Sequence, residues 1–532
     1  MTSRSRRRRN STATTQPWKI ARWIGIAALG VLVTLTIVAG VGSRTSKLRQ
    51  LVIETLSERL DSEVQLEAFS VDFFPTVNVQ GTGLVVKLRG HDDVPPLLKI
   101  KSFEMTGGMF GLLSRPRTFR TIILEGLEIN IPPGGADFSA HYGRAANENS
   151  DQRSSSPIRI DRVESTDAVL RLIPKRADKK PREFLIHTLA MDGVGVTERM
   201  PFEATLTNPL PRGAIKTNGH FGPWSKGEPG ATPVDGKYVF DNVDLSTIKG
   251  IAGMLTSTGE YRGPLGRIEV KGETKTPDFR LDVAGNAMPL TTTFEAVVDG
   301  TDGDTYLKTV NAVLGKTPIA ASGVIADTPG VKGRTVQIQA KIANGRIEDL
   351  LRLSVKGNDP LMTGKVALKT ELVLPPGHVD VVEKLRLKGT FDVSAARFTN
   401  PEVREKLGEM SARASSGPDD APSRVVSDLD GRFTLAGGIL SLAALKFQIP
   451  GAAVHLDGTY GLRSEALEFD GTLRMQATIS EAAGGGAKSF FLKIVDPFFK
   501  KKGAGTVLPI RVRGTREQPK FGLDVVKALT PK

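Results

Sequence analysis

The chain contains no cysteine, few aromatic residues and only six histidines. Without cysteine, neither a disulfide nor a thiolate metal site can form. The histidines are not paired at the spacing that metal ligands require, and the nucleophile motif Gly-x-Ser-x-Gly does not occur. Aromatic residues make up 6% of the chain and do not interleave with a basic stripe, so nothing indicates nucleic-acid binding. The histidines are His91, His141, His187, His220, His378 and His455.

Two short sequence patterns resemble known ligand-binding motifs, and both lack a required residue. Gly315-Lys316-Thr317 resembles the end of a phosphate-binding loop, but Val310 stands where the earlier glycine must be. Asp299, Asp302 and Asp304 suggest a calcium loop, but their spacing is not that of an EF-hand and no distal glutamate closes it. We therefore predict a protein that is not an enzyme and has no catalytic, metal or cofactor site.

Charge is also missing from one long stretch, because no charged residue lies between Arg22 and Arg44. The apolar run 23–43 contains about 20 residues, which is enough to cross a hydrocarbon core about 30 Å thick. Seven basic residues and no acidic residue precede it, so the N-terminus should be cytoplasmic and the bulk of the chain periplasmic. A cleaved signal peptide is the alternative, but its apolar core would be shorter and Ala39-Gly40-Val41 is a poor cleavage site.

The rest of the chain reads as β-strand. Leu48, Leu51, Val52, Leu56 and Leu60 predict a short helix over 46–60. After it, apolar and polar residues alternate with period two, which indicates strands with one buried face. Gly81-Thr82-Gly83 and Gly437-Gly438 are expected to be turns between strands.

A repeat links the middle of the chain to its end. The segment Ile268 to Gly272, followed by Pro277 to Val283, is matched by Ile510 to Gly514, followed by Pro519 to Val525. Glycine and proline fall at the same spacing in both copies, so we predict strand, turn and strand in each.

Both ends of the chain resemble the AsmA-like family. The N-terminal resemblance lies in Leu60 to Pro75 with Val77 and Gly81. The C-terminal one lies in Phe398 to Pro401, Gly437 to Leu440, Pro450 to Ala452, Gly458 to Tyr460, Asp496 to Lys500, Val507 to Ile510, Gly514-Thr515 and Pro519 to Phe521. Members of that family are anchored in the inner membrane of Gram-negative bacteria. The larger ones are similar to chorein-type bridge lipid carriers, in which a long curled sheet forms an apolar groove.

The resemblance and the strand pattern together predict a mostly β fold. An N-terminal transmembrane helix should be followed by an elongated, curled, mostly antiparallel β-sheet groove with a few short helices. The expected regions are a basic cytoplasmic tail (1–22), the transmembrane helix (23–43), an N-terminal β region (44–146), a linker (147–157), the β-groove body (158–396), a short helix and loop (397–424) and a C-terminal β region (425–532).

The resemblance implies that the protein moves phospholipid toward the outer membrane, with membrane phospholipids as ligands and an outer-membrane or envelope protein as a possible partner. The alternative is a non-catalytic scaffold or assembly factor that influences outer-membrane protein biogenesis. The candidate groove residues are Val270, Phe279, Leu281, Val283 and Ile338.

The segment 488–502 forms an apolar stripe if it is helical. Two interpretations remain open for it: an amphipathic element at a membrane surface, or a helix that packs against the terminal strands. Its candidate membrane or capping residues are Phe490, Phe491, Ile494, Phe498 and Phe499.

Overall fold

The computed structural model describes residues 49–523 with gaps. The residues left out within this range are 51, 55, 58–61, 73–75, 89–94, 109–116, 132–157, 173–180, 195–198, 224–228, 301–302, 329–330, 332, 358, 400, 402–403, 406–426, 450–451 and 476–506. The predicted transmembrane helix (23–43) and the segment 488–502 therefore lie outside the described residues. Within them, no helix is both long and apolar enough to cross a bilayer.

The described chain is mostly β and forms two compact units. The first unit contains the chain up to Phe240 together with Glu260–Gly266, and the second contains Asp241–Gly259 together with Arg267 onward. β11 (Pro233–Asp244) and β13 (Met254–Pro264) contribute residues to both units.

The first unit packs a short N-terminal helix against a sheet. Its strands are β1 (Ser62–Gln65), β2 (Ala68–Asp72), β3 (Val77–Leu88), β4 (Leu98–Gly107), β5 (Arg117–Glu125), β6 (Glu128–Ile131), β7 (Ile158–Leu172), β8 (Arg182–Val194), β9 (Met200–Pro209) and β10 (Arg212–Phe221). The helix predicted over 46–60 is present where residues 49–57 are described. Its Val52 and Leu56 are each 1% exposed and join the core of this unit.

The strands of the first unit are antiparallel except at two pairings. β5 and β6 each run parallel to β7, which the sequence pattern did not predict. The predicted turn Gly81-Thr82-Gly83 is wrong, because these residues lie inside β3, where Gly81 and Thr82 pair with β2 and β4. Gly83 instead has a positive φ of 65°. It lies at the break where β3 exchanges one short partner strand, β2, for the other, β1.

The second unit is a meander in which each strand from β14 onward pairs antiparallel with the next one. Its elements are β12 (Ile251–Ala252), β14 (Ile268–Leu281), β15 (Met288–Val298), β16 (Thr305–Leu314), β17 (Thr317–Asp327), β18 (Arg334–Arg346), helix α1 (Ile347–Ser354), β19 (Met362–Leu374), helix α2 (Val381–Lys384), β20 (Arg386–Phe398), β21 (Ser427–Ala436), β22 (Ile439–Ile449), β23 (Ala452–Gly461), β24 (Ala466–Met475), β25 (Val507–Thr515) and β26 (Pro519–Leu523). Short 3-10 helices occur at Pro229–Ala231 in the first unit and at Leu245–Thr247 in the second. The predicted turn at Gly437-Gly438 is confirmed between β21 and β22, where both glycines have positive φ.

The predicted strand-turn-strand repeat is present in only one of its two copies. Near the end of the chain, β25 and β26 form the expected hairpin, with Gly514 opposite Pro519. In the middle of the chain, Ile268 to Leu281 is instead one continuous strand, with a bulge between Thr276 and Phe279. Pro277 falls in that bulge, where the ladder needs no donor from it, so the strand continues past the proline.

What recurs is a single strand that contains a glycine. A charged residue precedes this glycine, and apolar residues stand two and four positions before it or two positions after it. The glycines are Gly272, Gly389, Gly431, Gly458, Gly471 and Gly514. Most of the strands of this unit also carry a bulge, as between Leu307 and Val310 or between Val393 and Ala396. Bulges increase the local twist, so the sheet curves instead of staying flat.

Several glycines lie directly opposite a phenylalanine on the neighbouring strand. The pairs in the second unit are Gly272 with Phe294, Gly389 with Phe433, Gly431 with Phe391, and Gly458 with Phe469. At Gly389, an added Cβ would lie 2.8 Å from the ring of Phe433 and 2.2 Å from the Lys369 carbonyl oxygen. The ring therefore lies across the glycine, an arrangement that covers exposed backbone in curved sheets.

We expect Gly389→Ala to lower the free energy of unfolding by about 1–3 kcal/mol, since the added methyl overpacks a closed contact. Chemical denaturation monitored by circular dichroism measures this. Gly522→Ala is the matched control, because Gly522 is also in a strand and its nearest neighbour would be 3.8 Å from the added Cβ. Equal stability of the two variants would show that the ring-over-glycine contact has no structural role.

Candidate functional site

One side of the β14–β26 sheet is mostly apolar, and we call it the apolar face. The register decides which side chains share it, because directly opposed residues point to the same side of a sheet. One row of opposed residues runs Val270, Ala296, Leu307, Gly323, Ile338, Leu372, Leu387, Leu435, Leu440, Tyr460 and Leu467. No charged residue interrupts this row.

The opposite side, the polar face, carries the charges. Ion pairs link neighbouring strands there, as between Lys271 and Glu295 (2.8 Å) and between Lys388 and Glu371 (2.7 Å). The hydrogen bond from Lys271 lowers the pKa of Glu295 below its usual value. Such exposed pairs contribute little stability. Their significance is that they identify the polar face as the solvent side.

Burial along the apolar face is uneven. Near one end of the strands, Leu314, Ile342 and Val366 are 2%, 3% and 1% exposed. Further along the same strands, Leu307 and Ile338 are only half-buried. We call the buried part, made of Met288, Leu314, Ile342 and Val366, the covered end.

Helix α1 lies over the covered end. Its Ile347 and Leu350 pack against the cluster that contains Ile342 and Val366. The helix contacts β19 and also β14 and β15. Because these strands are four and five positions apart in the meander, the apolar face must be concave around α1.

Two buried carboxylates fix the start of α1. Asp349 Oδ2 accepts hydrogen bonds from the Lys316 backbone N–H (3.0 Å) and the Thr317 hydroxyl (2.8 Å). Glu348 accepts from Arg346 Nε (2.7 Å) and the Gly364 N–H (3.3 Å). Carboxylates in the first turn also face the positive end of the helix dipole.

The turn between β16 and β17 is the Gly315-Lys316-Thr317 segment, whose sequence resembles part of a phosphate-binding loop. Its Lys316 backbone N–H and Thr317 hydroxyl donate to Asp349 of α1.

The other end of α1 is held by Asn286, which follows β14. Its Nδ2 lies within hydrogen-bonding distance of the carbonyl oxygens of Arg352 (2.8 Å), Val355 (3.0 Å) and Gly357 (3.0 Å). Helix C-termini leave carbonyl groups without intrahelical partners, and this amide is placed to donate to one of them, that of Arg352, and to carbonyls of the residues that follow the helix. Polar contacts at both ends therefore hold α1 across the apolar face.

A second contact confirms the curvature of this unit. Gly250 exchanges hydrogen bonds with Asp282 at the end of β14. A Cβ added at Gly250 would lie 3.0 Å from Cγ1 of Val381, which follows β19. In a flat sheet, the five steps from β14 to β19 would separate these positions by about 24 Å.

The structure places four of the predicted groove residues on the apolar face. Val270 and Ile338 lie in the row described above, and both are half-buried. The bulge at Thr276 keeps Phe279 and Leu281 on the same side, with Phe279 opposite Met288. Val283 lies beyond the end of β14, in the turn that follows it. The candidates in 488–502 are outside the described residues.

Sequence reasoning missed α1 and its two buried carboxylates. The available signal was Ile347, Leu350 and Leu351 at helical spacing, with Glu348 and Asp349 between them in the first turn, where acidic residues are common. The signal is short and follows β18 without a break, so it reads as more strand. Within the described ranges, no group of three or more His, Asp or Glu side chains could hold a metal ion.

In comparisons with protein-family models, with curated proteins and with solved structures, no match to this chain was found.

The buried Glu348 generates a prediction about acid stability. Burial raises its pKa, but hydrogen bonds from backbone N–H groups and from Arg346 outweigh burial, so the pKa lies below its usual value of 4.5. A carboxylate with a lowered pKa stabilises the fold above its unfolded-state value and loses that contribution as the pH falls through its folded value. We expect the free energy of unfolding to fall less between about pH 6 and about pH 3 for Glu348→Gln than for the wild type.

Urea denaturation at each pH measures this difference. Glu517→Gln is the control, because Glu517 is exposed and far along the chain from α1. An identical pH dependence for wild type and Glu348→Gln would contradict the role given to this carboxylate.

Proposed function

We propose that this protein binds the acyl chains of phospholipids on the apolar face of its second unit and carries them between membranes of the cell envelope. The observation that supports this most is the register. It places an uninterrupted apolar row on one side of a curved sheet, leaves most of that row half-buried between β14 and β20, and puts the neighbouring charges, such as Lys271 and Glu295, on the other side.

The dimensions of this face suit an acyl chain. Along β18, the distance from Ile342 at the covered end to Val336 is six residues, or about 20 Å. One leaflet of a bilayer has a hydrocarbon thickness of about 15 Å, half of the usual 30 Å. Across the strands, the six steps from β14 to β20 extend for about 29 Å. A lipid could therefore lie with its chains against the sheet and its headgroup in water.

The mechanism is physical and needs no catalytic group. Each CH₂ that leaves water for an apolar surface contributes about 0.8 kcal/mol, so the face offsets most of the cost of removing a chain from a bilayer. Because opposed residues repeat the same apolar character from strand to strand, neighbouring positions along the face are similar in energy. A chain can then move across the strands without a large barrier.

In this proposal the protein is held at the inner membrane by 23–43 and the curved sheet forms an elongated periplasmic groove that leads toward the outer membrane. The charge-free run with its basic N-terminal flank supports the anchor. The resemblance to AsmA-like proteins at both ends of the chain supports the direction of transport.

The proposed topology predicts that alkaline phosphatase fused after Lys532 is active in a Gram-negative host. The enzyme needs disulfides, which form on the oxidising side of the inner membrane. Alkaline phosphatase fused to the N-terminus of the chain, ahead of the intact basic flank, gives the matched cytoplasmic control, which should be inactive. A stable but inactive fusion after Lys532 would rule out the periplasmic location.

The proposed ligand predicts that Ile338→Glu lowers the lipid recovered with the purified protein by about tenfold or more, because an ionised carboxylate beside acyl chains is costly. Gln337→Glu is the matched control, since Gln337 is the next residue of β18 and lies exposed on the polar face. Lipid mass spectrometry measures the recovery, and circular dichroism establishes that both variants fold.

Equal lipid recovery from both variants would show that the apolar face is not the binding site. If the folded wild-type protein neither retains lipid nor takes it up from vesicles, lipid carriage itself is excluded and a scaffold role in envelope assembly becomes the better hypothesis.

A further inference from the structure

The apolar face has one closed end, and the closing element is α1. The covered end is formed by Met288, Leu314, Ile342 and Val366. From there, burial decreases along β16 toward Leu307 and along β18 toward Ile338. An acyl chain that lies parallel to the strands therefore meets α1 at one end and half-buried apolar surface further along.

Helix α1 has only eight residues, and its position is fixed by contacts with the rest of the sheet. An isolated helix this short is unstable in water. Here Asp349 joins it to the β16–β17 turn, Glu348 joins it to β19, and Asn286 joins its last carbonyls to the segment after β14. These three attachments come from different parts of the sheet, so the helix keeps a constant distance from the strands beneath it.

The side chains that α1 presents to the sheet are apolar and only partly buried. Ile347 and Leu350 pack against the buried cluster and remain half-buried themselves. Since they are not fully enclosed, part of their surface remains accessible beside the covered end. This is the surface that the end of a bound chain would touch.

From these observations we propose that α1 is the stop that sets acyl-chain length, with Leu350 as its specificity-determining residue. The inference rests on the proposed function, because it assigns a length preference to the same apolar face. The terminal methyl of a chain lies against α1, the chain follows the strands for about 20 Å, and the headgroup emerges at the far strand ends. A longer chain must leave carbon atoms in water or displace the helix.

Leu350→Ala tests the stop by removing carbon atoms from it. The full-length protein is loaded from vesicles that contain equal amounts of diacyl phosphatidylethanolamines of graded chain length, and the bound lipids are quantified by mass spectrometry. We expect the preferred length to increase by about two carbons, with about a tenfold rise in the ratio of that longer lipid to the wild-type optimum. Two CH₂ groups at about 0.8 kcal/mol each correspond to roughly that ratio.

Arg352→Ala is the matched control, because Arg352 belongs to the same helix and its side chain is exposed. It should leave the length preference unchanged. If Leu350→Ala does not fold, Leu350→Val removes less and should give a smaller shift in the same direction.

The outcomes separate this inference from the proposed function. A wild-type protein that takes up no lipid excludes the proposed function. Uptake with the same length preference in wild type, Leu350→Ala and Leu350→Val leaves lipid binding intact and overturns α1 as the stop. A shift that is equally large in Arg352→Ala also overturns it, because the effect would then come from a general weakening of the helix.

Discussion

The antiparallel ladder between β14 and β26 is the constraint on which the rest of the second unit depends. Because side chains alternate with a period of two, a register error of one residue would exchange the apolar and polar faces. Apolar rows on one side and ion pairs such as Lys271–Glu295 on the other both follow from this single register. The ladder therefore determines where a ligand can bind, although it contributes no side chain specific to that ligand.

Curvature gives this amphipathic sheet a concave side. Bulges interrupt most of the pairings and increase the twist. Glycines such as Gly389 and Gly431 let the rings of Phe433 and Phe391 lie against the sheet, where a larger side chain would collide with them. The two rings are themselves in contact, with centroids 6.4 Å apart. Aromatic surface thus covers the backbone of the sheet at these glycines.

Helix α1 shows how polar groups can organise an apolar surface. Asp349 and Glu348 are buried, a position that is costly for carboxylates unless hydrogen bonds compensate. Asp349 accepts hydrogen bonds from Lys316 and Thr317, and Glu348 accepts them from Arg346 and Gly364. These bonds fix the helix at the covered end, where apolar contacts alone would allow it to slide. The closed end of the apolar face is consequently held by polar interactions.

The sequence by itself determined the strand content, the N-terminal helix with Val52 and Leu56, the turn at Gly437-Gly438, and the side of the sheet on which Val270 and Ile338 lie. These follow from local periodicity and from the backbone preferences of glycine, which need no knowledge of distant residues. Only the tertiary structure decided that Ile268 to Leu281 is one strand, that β5 and β6 run parallel to β7, and that α1 closes the apolar face. Each of those depends on pairing or on buried hydrogen bonds between residues far apart in the chain, such as Asn286 with Val355, and such contacts leave no periodic signal in the sequence.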